Sequence, residues 1–281
     1  MTSISRLLVQ CPDGRGITAA VTSFIAARSG NLLDLEQHTD PDHGEFMLRA
    51  VIDSTESASD LGEAFSPIAE TYSMQWRFVD ADRPRRIVIL AGRSLHCLVD
   101  LLYRIANGDL DGEIVSVISN HEDAGRPAGH HGIPFEHLPV DPDHPDRQST
   151  EIADALDRLN PDLVILARYM RILPEYITSR WPSRMINVHH SFLPAFPGAD
   201  PYRQAYRRGV KLVGATAHYV TPALDEGPII AQASTPVDHH QSVADLRRIG
   251  SDLERLVLAD AVHAHLEDRI LTRNGRTIVF R

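Results

Sequence analysis

The chain has 281 residues, 43% of them apolar and 23% charged, which is the composition of a globular protein long enough for two domains. That excludes a disordered chain, a collagen and a small disulfide-stapled module. The formal charge of −10 is uneven: residues 1–83 hold 13 acids and 6 bases, whereas residues 84–281 hold 25 acids and 22 bases. No basic stripe for nucleic acid appears, and no apolar run reaches the roughly 18–20 residues that span a bilayer. The stretch Met1–Gln10 is too short in apolar residues for a secretory leader. Cys11 and Cys97 form neither a disulfide framework nor a CxxC pair. A cytoplasmic protein without nucleic-acid or membrane partners is expected.

In chain order, residues 4–10 read as a strand, followed by a turn Cys11-Pro12-Asp13-Gly14-Arg15-Gly16. Residues 17–29 have helical spacing, ended by Gly30-Asn31. Residues 32–38 and 45–52 read as strands, 57–66 as a helix and 75–79 as a last strand. The order is β-α-β-β-α-β, a ferredoxin-like unit. The polar stretch 80–86 is the expected linker, dividing the chain into residues 1–83 and 84–281.

After it, 86–91 (RIVILA) is an all-apolar strand, with Ser94 placed to cap a helix to about Ala106. Strands follow at 113–119 and 162–167, the second preceded by a helix near 150–159. Strands at 211–219 and 228–234, a long helix at 243–266 and a hairpin turned at Asn274-Gly275 complete the chain. This alternation predicts an open, mostly parallel α/β sheet.

Three segments carry polar residues suited to chemistry. In Met185–Pro194, Asn187 and His189 share one side of an extended strand, and Ser191 follows on that side if the strand persists. An Asn amide and an imidazole suit a developing oxyanion, or else a strand end and a satisfied core histidine. In Thr221–Pro228, Asp225 sits on a Pro/Gly loop, as a reactive carboxylate or as a solvated turn residue. In Ala167–Pro174, Met170, Ile172 and Leu173 form an apolar wall, of a pocket or of the core. The adjacent pairs His130-His131, His189-His190 and His239-His240 are poorly placed to share one ion without a further ligand, and HExxH is absent, so no metal is expected.

Together these segments resemble the folate-dependent formyltransferase family: a strand-end LAxxMRIL segment, an Asn-x-His-x-Ser-x-Leu-Pro segment and an Asp before a Gly-x-x-hydrophobic strand. The resemblance implies a catalytic triad of Asn187, His189 and Asp225. It also implies substrate contacts from Met170, Arg171, Ile172, Leu173, His190, Ser191, Gly198, Val220 and Leu224. His190 stands where the transferases usually carry Pro. The turn Ala91-Gly92-Arg93-Ser94 keeps only one glycine of their phosphate cradle. The front unit resembles an ACT domain, which implies side-by-side pairing into a homo-oligomer. It also implies an amino-acid effector, glycine or methionine, at Asp13, Gly14, Arg15, Gly16 and Asn31. Read without the resemblance, a second reading stands beside it, in which Gly14, Gly16 and Gly30 make turns only.

An ACT-like front joined to this catalytic half resembles the formyltetrahydrofolate deformylase family over essentially the whole chain. The implied reaction joins 10-formyltetrahydrofolate and water to give formate and tetrahydrofolate, without a cofactor, for purine synthesis and one-carbon balance. Alternatives are formyl transfer to an unidentified amine, and a catalytically silent regulator that binds folate and amino acids.

Overall fold

The computed structural model describes residues 3–144, 146–194 and 201–281. It divides into two compact units. The first takes Met1–Pro84 with Glu267–Arg273 and Ile278–Arg281; the second takes Arg85–Leu266 with Asn274–Thr277. The final segments expected to belong wholly with the second part are thus shared between the units. Among the described residues no helix is long and apolar enough to cross a membrane.

The first unit runs β1 (Ser3–Pro12), α1 (Ile17–Ala27), β2 (Asn31–Asp40), β3 (Glu45–Ser54), α2 (Ala58–Thr71) and β4 (Gln75–Asp80). Its antiparallel sheet has the order β2-β3-β1-β4, which is the expected ferredoxin-like arrangement. Leu7, Val9, Val21, Leu48 and Phe65 bury its core completely. The helix α2 outruns the expected 57–66 and continues through Pro67 to Thr71. Proline removes one intrahelical donor, but Phe65 and Ala69 on the same face are buried, and that packing outweighs the lost bond. Arg49, 3% exposed on β3, donates to Asp34 Oδ2 (2.9 Å) and to the Glu267 carbonyl (3.1 Å). Asp268 likewise accepts from Arg77 at 3.1 Å, which ties the late segment into this unit.

The second unit contains β5 (Arg86–Ala91), α3 (His96–Ala106), β6 (Glu113–Ser119), α4 (Gly125–His130), β7 (Phe135–His137), α5 (Arg147–Leu159), β8 (Leu163–Ala167) and α6 (Glu175–Thr178). It continues with β9 (Met185–His189), α7 (Pro201–Arg208), β10 (Leu212–Tyr219), β11 (Ile229–Pro236) and α8 (Val243–Leu266). The last hairpin is β12 (Ile270–Arg273) and β13 (Arg276–Val279), turned where Asn274 (φ 49°) and Gly275 (φ 74°) both take left-handed backbone. Ser94 does not cap α3: Leu95 occupies the cap position and no side chain bonds there.

The seven-stranded sheet has the order β11-β10-β9-β8-β5-β6-β7. β5, β6, β7, β8 and β9 run parallel, while β10 and β11 add antiparallel strands at one edge. From β5 the chain first builds outward to β6 and β7, then returns to lay β8 on the other side. The carboxyl ends of β5 and β8 therefore form a topological switch point, where open α/β sheets open a crevice.

Gly92 follows β5 there and donates its N–H to the Ala167 carbonyl. A Cβ at Gly92 would stand 1.9 Å from the Arg168 carbonyl oxygen. Gly92→Ala is expected to lower the free energy of unfolding by about 3 kcal/mol. An unchanged urea midpoint would show that the two strand ends have room to spare.

Candidate active site

Asn187 and His189 lie on β9, two residues apart and on one face, as the strand period requires. β10 runs antiparallel beside it, and its register sets His218 directly opposite Asn187. Asn187 Nδ2 lies 3.3 Å from His218 Nε2. His218 Nδ1 donates to the Tyr219 carbonyl at 2.9 Å, which fixes the ring. Asp225 arrives from the loop between β10 and β11, with a left-handed φ of 56°.

The carboxylate of Asp225 closes the group. Its Oδ2 is 3.2 Å from His189 Nδ1 and its Oδ1 is 3.6 Å from His218 Nε2. His189 and then His218 hold its carboxyl far below the ordinary carboxylate range, so it is ionised at any working pH. With Nδ1 given to Asp225, His189 has its Nε2 left, and that atom is buried without a hydrogen-bond partner. His189 is 6% exposed and lines a cavity at the strand ends.

That cavity measures about 380 Å³. Asn187, His189, His218 and Asp225 line its polar end. Met170, Arg171, Ile172, Leu173, Val220 and Leu224 line the rest, together with His190. Met170, Ile172 and Leu224 are exposed and form the pocket mouth, whereas Leu173 is buried and joins the pocket wall to the core. Such a slot suits a flat heteroaromatic ring whose edge needs a few polar contacts. Ser191 is not brought into it. The strand ends at His189, the alternation breaks, and Ser191 lines a separate pocket of about 30 Å³ with Phe192 and Tyr202. Gly198 lies outside the described residues.

Sequence reasoning missed His218, although the antiparallel pairing of β9 and β10 alone brings it to Asn187. It also missed a buried group behind the cavity. Glu254 on α8, 1% exposed, accepts from Tyr202 Oη at 2.6 Å and pairs with His96 Nε2 at 2.8 Å. Burial opposes its ionisation, but the His96 hydrogen bond and the Arg168 charge hold its carboxyl low. Arg168 Nε approaches Glu254 Oε2 at 3.4 Å.

Two groups bring metal-type donor atoms together among the described residues: His96, Cys97 and Glu254, and the exposed Asp238, His239 and His240. In the second, Asp238 adds a third donor atom beside the two adjacent histidines, and all three side chains are exposed. In the first, burial pushes the Cys97 thiol strongly up and Arg168 already serves Glu254, so the donors do not suit a cation.

In the first unit, Asp13, Gly14, Arg15, Gly16 and Asn31 are all exposed. Gly16 takes φ 88° and starts α1. The register sets Asn31 opposite Asp53 and Asp53 opposite Ile4, whereas the Asp13–Gly16 turn follows the far end of β1. Within one chain the two parts are therefore separated by most of a strand, about 25 Å. Gly30 serves packing: a Cβ there would meet Ile25 Cγ2 at 3.0 Å.

Comparison with known proteins gives two domain matches, to the formyl transferase family over residues 85–262 and to the ACT domain family over residues 5–69. A formyltetrahydrofolate deformylase of Bacillus subtilis (strain 168) is 44% identical over 279 residues, which is 98% of this chain and 93% of that one. The crystal structure of a formyltetrahydrofolate deformylase from Pseudomonas syringae superposes with a TM-score of 0.97 at 44% identity, covering 100% of this chain and 95% of that one. A glycinamide ribonucleotide transformylase from Symbiobacterium toebii, at 35% identity and TM-score 0.66, covers 70% of this chain and 95% of its own.

Burial lowers the His190 pKa to about 4. The unfolded imidazole titrates near 6.5, so the folded state refuses a proton that the unfolded chain accepts. Stability from this group is complete above about pH 6.5 and falls as the pH drops toward about 4. Urea denaturation is expected to lose about 2 kcal/mol from this group between about pH 7 and about pH 5. His190→Gln should remove that part of the slope; an identical slope in the variant would refute the assignment.

Proposed function

The chain belongs to the formyltetrahydrofolate deformylase family, and we infer that it hydrolyses 10-formyltetrahydrofolate to formate and tetrahydrofolate. The observation that carries the reading is the His189–Asp225 pair at 3.2 Å, with the second imidazole nitrogen buried against the cavity. The pterin occupies the slot between Arg171, Ile172 and Leu173 on one side and the Val220–Asp225 loop on the other. The formyl group then reaches the polar end of the cavity.

The formyl carbon is bonded as an amide, so unaided attack by water is slow. Asp225, ionised, holds the water and takes its proton as the oxygen bonds to carbon. The carbonyl oxygen becomes negative and accepts hydrogen bonds from the Asn187 amide and from a protonated His189 Nε2. His189 keeps its Nδ1–H on Asp225 meanwhile, which fixes the ring. His218 orients Asn187 across the strand pair. As the C–N bond breaks, the proton taken from water passes to N10; the formic acid released gives its remaining proton to solvent, and formate and tetrahydrofolate remain. Water is the nucleophile in this reading because the turn Ala91-Gly92-Arg93-Ser94 keeps only one glycine of the phosphate cradle that the transferases use for their acceptor. The chemistry asks no cofactor of the protein, and a cytoplasmic folate pool is its setting.

The first unit supplies regulation in the same reading. An amino acid, glycine or methionine, binds at Asp13–Gly16 and Asn31. Because these lie at opposite ends of one sheet, a second copy must supply the missing half, which makes the active form a homo-oligomer.

Asp225→Asn should abolish formate release, with kcat down by at least about 10³, and Asn187→Ala should cost about 10²–10³. Formate assay on purified protein, with circular dichroism to check folding, measures both. A folded Asp225→Asn enzyme with full turnover would remove the carboxylate from the reaction. Sedimentation with equilibrium dialysis tests the front unit: a monomer that takes up neither glycine nor methionine would refute the regulatory reading.

A further inference from the structure

Hydrolysis asks Asp225 to take a proton from water, and its surroundings make it a poor place to keep one. His189 and then His218 hold its carboxyl far below the ordinary carboxylate range. His189 cannot relieve it: its Nδ1 faces Asp225 Oδ2 at 3.2 Å, and its Nε2–H serves the formyl oxygen. The proton needs a second base within reach of the carboxylate.

His218 has the placement of that base. Its side chain, on β10, is 2% exposed and lines the polar end of the cavity. Nδ1 donates to the Tyr219 carbonyl at 2.9 Å, so a neutral ring carries its lone pair on Nε2. That atom lies 3.6 Å from Asp225 Oδ1 and 3.3 Å from Asn187 Nδ2. A separation of 3.6 Å is an approach and not yet a hydrogen bond; catalytic contacts of this kind often tighten once substrate is bound.

The local backbone is shaped around this ring. The register between β10 and β11 slips between Ala217 and His218, a bulge of the kind that re-aims a side chain. A Cβ at Gly227 would stand 1.7 Å from the Tyr219 carbonyl oxygen and 3.3 Å from His218 Nδ1. Glycine at 227 thus leaves the space in which that hydrogen bond forms. Orienting Asn187 needs only an acceptor at the Nε2 position, which an amide oxygen would also supply. A ring with its tautomer fixed and its lone pair beside a carboxylate supplies more: a place for a proton.

We propose that His218 stores the proton that Asp225 takes from water, holding it on Nε2 until N10 leaves. The inference rests on the hydrolase reading above. As the water oxygen bonds to the formyl carbon, its proton passes to Asp225 Oδ1 and from there to the Nε2 lone pair. Asp225 is again a carboxylate, and the new His218 cation faces it. The negative charge gained by the formyl oxygen balances that cation, so the net charge of the site does not change. As the C–N bond breaks, the proton returns through Asp225 to N10, and His218 is neutral once more.

Single-turnover formate release by the full-length enzyme, in excess over 10-formyltetrahydrofolate, tests it in a double-mutant cycle of His218→Gln and Asn187→Ala. Glutamine puts an amide oxygen near the Nε2 position and can still orient Asn187, but it cannot take the proton. His218→Gln should slow the chemical step by about 10²-fold, within the range of general acid–base catalysis. Affinity for 10-formyltetrahydrofolate should stay within about 3-fold, since the loss falls on the reaction and not on binding. In the Asn187→Ala background His218→Gln should cost about the same factor again. A folded His218→Gln enzyme with the wild-type rate, or no added loss in the Asn187→Ala background, would show that His218 acts only by orienting Asn187 and would overturn the proposal. Should His218→Gln fail to fold, His218→Asn, whose amide can still donate to the Tyr219 carbonyl, carries the same comparison in the Asn187→Ala background. Absence of formate release by the wild type would instead overturn the hydrolase reading, so the two failures are distinct.

Discussion

One carboxylate organises the catalytic unit. Asp225 faces His189 from β9 and His218 from β10, and the two histidines are neighbours only because those strands pair antiparallel. A half-buried negative charge is stabilised by such partners. The same contacts determine what remains chemically open. His189 has one nitrogen committed and one directed to the cavity; Asn187 is held by His218. The loop that carries Asp225 must reach back over the sheet edge, and its left-handed backbone is the strain by which it does so.

The strand order explains why this group sits where it does. β5 and β8 part company at the switch point, and their carboxyl ends open a crevice. β9 lies next to β8, so its terminal His189 ends at the same edge. Nothing in residues 185–189 alone requires a crevice there. It follows from the chain leaving β5 in one direction and returning in the other. Gly92 and Arg168 follow the two strands, and the close approach of their backbones leaves no room for a side chain at Gly92.

Much of this is legible in the sequence, for physical reasons that also mark its limits. The buried strands 86–91 and 162–167 are continuous apolar runs, and the hairpin at Asn274-Gly275 follows from two residues that accept positive φ. Asn187 and His189 are paired by strand period alone. By contrast, Ser191 is assigned to the cavity only by extending that period past the point where the strand stops. His218 escapes notice because its role depends on register between strands far apart in the chain. Glu254 escapes for a similar reason: on a 24-residue helix it reads as one more charged position, and only packing shows it fully buried. Asn31 and the Asp13–Gly16 turn look adjacent as sequence motifs, yet the sheet register sets them at opposite ends. Local patterns specify faces; non-local pairing specifies neighbours.

The cavity beside Asp225 presents aliphatic side chains to solvent, an expense that a protein without a ligand for them has no reason to bear. Behind it, Arg168 is held by a glycine approach, a left-handed backbone and a buried acid. His190 stands between the two, and burial keeps it uncharged above about pH 4. A neutral imidazole there adds no charge between Asp225 and Arg168, so each keeps its own partner, His189 for the one and Glu254 for the other.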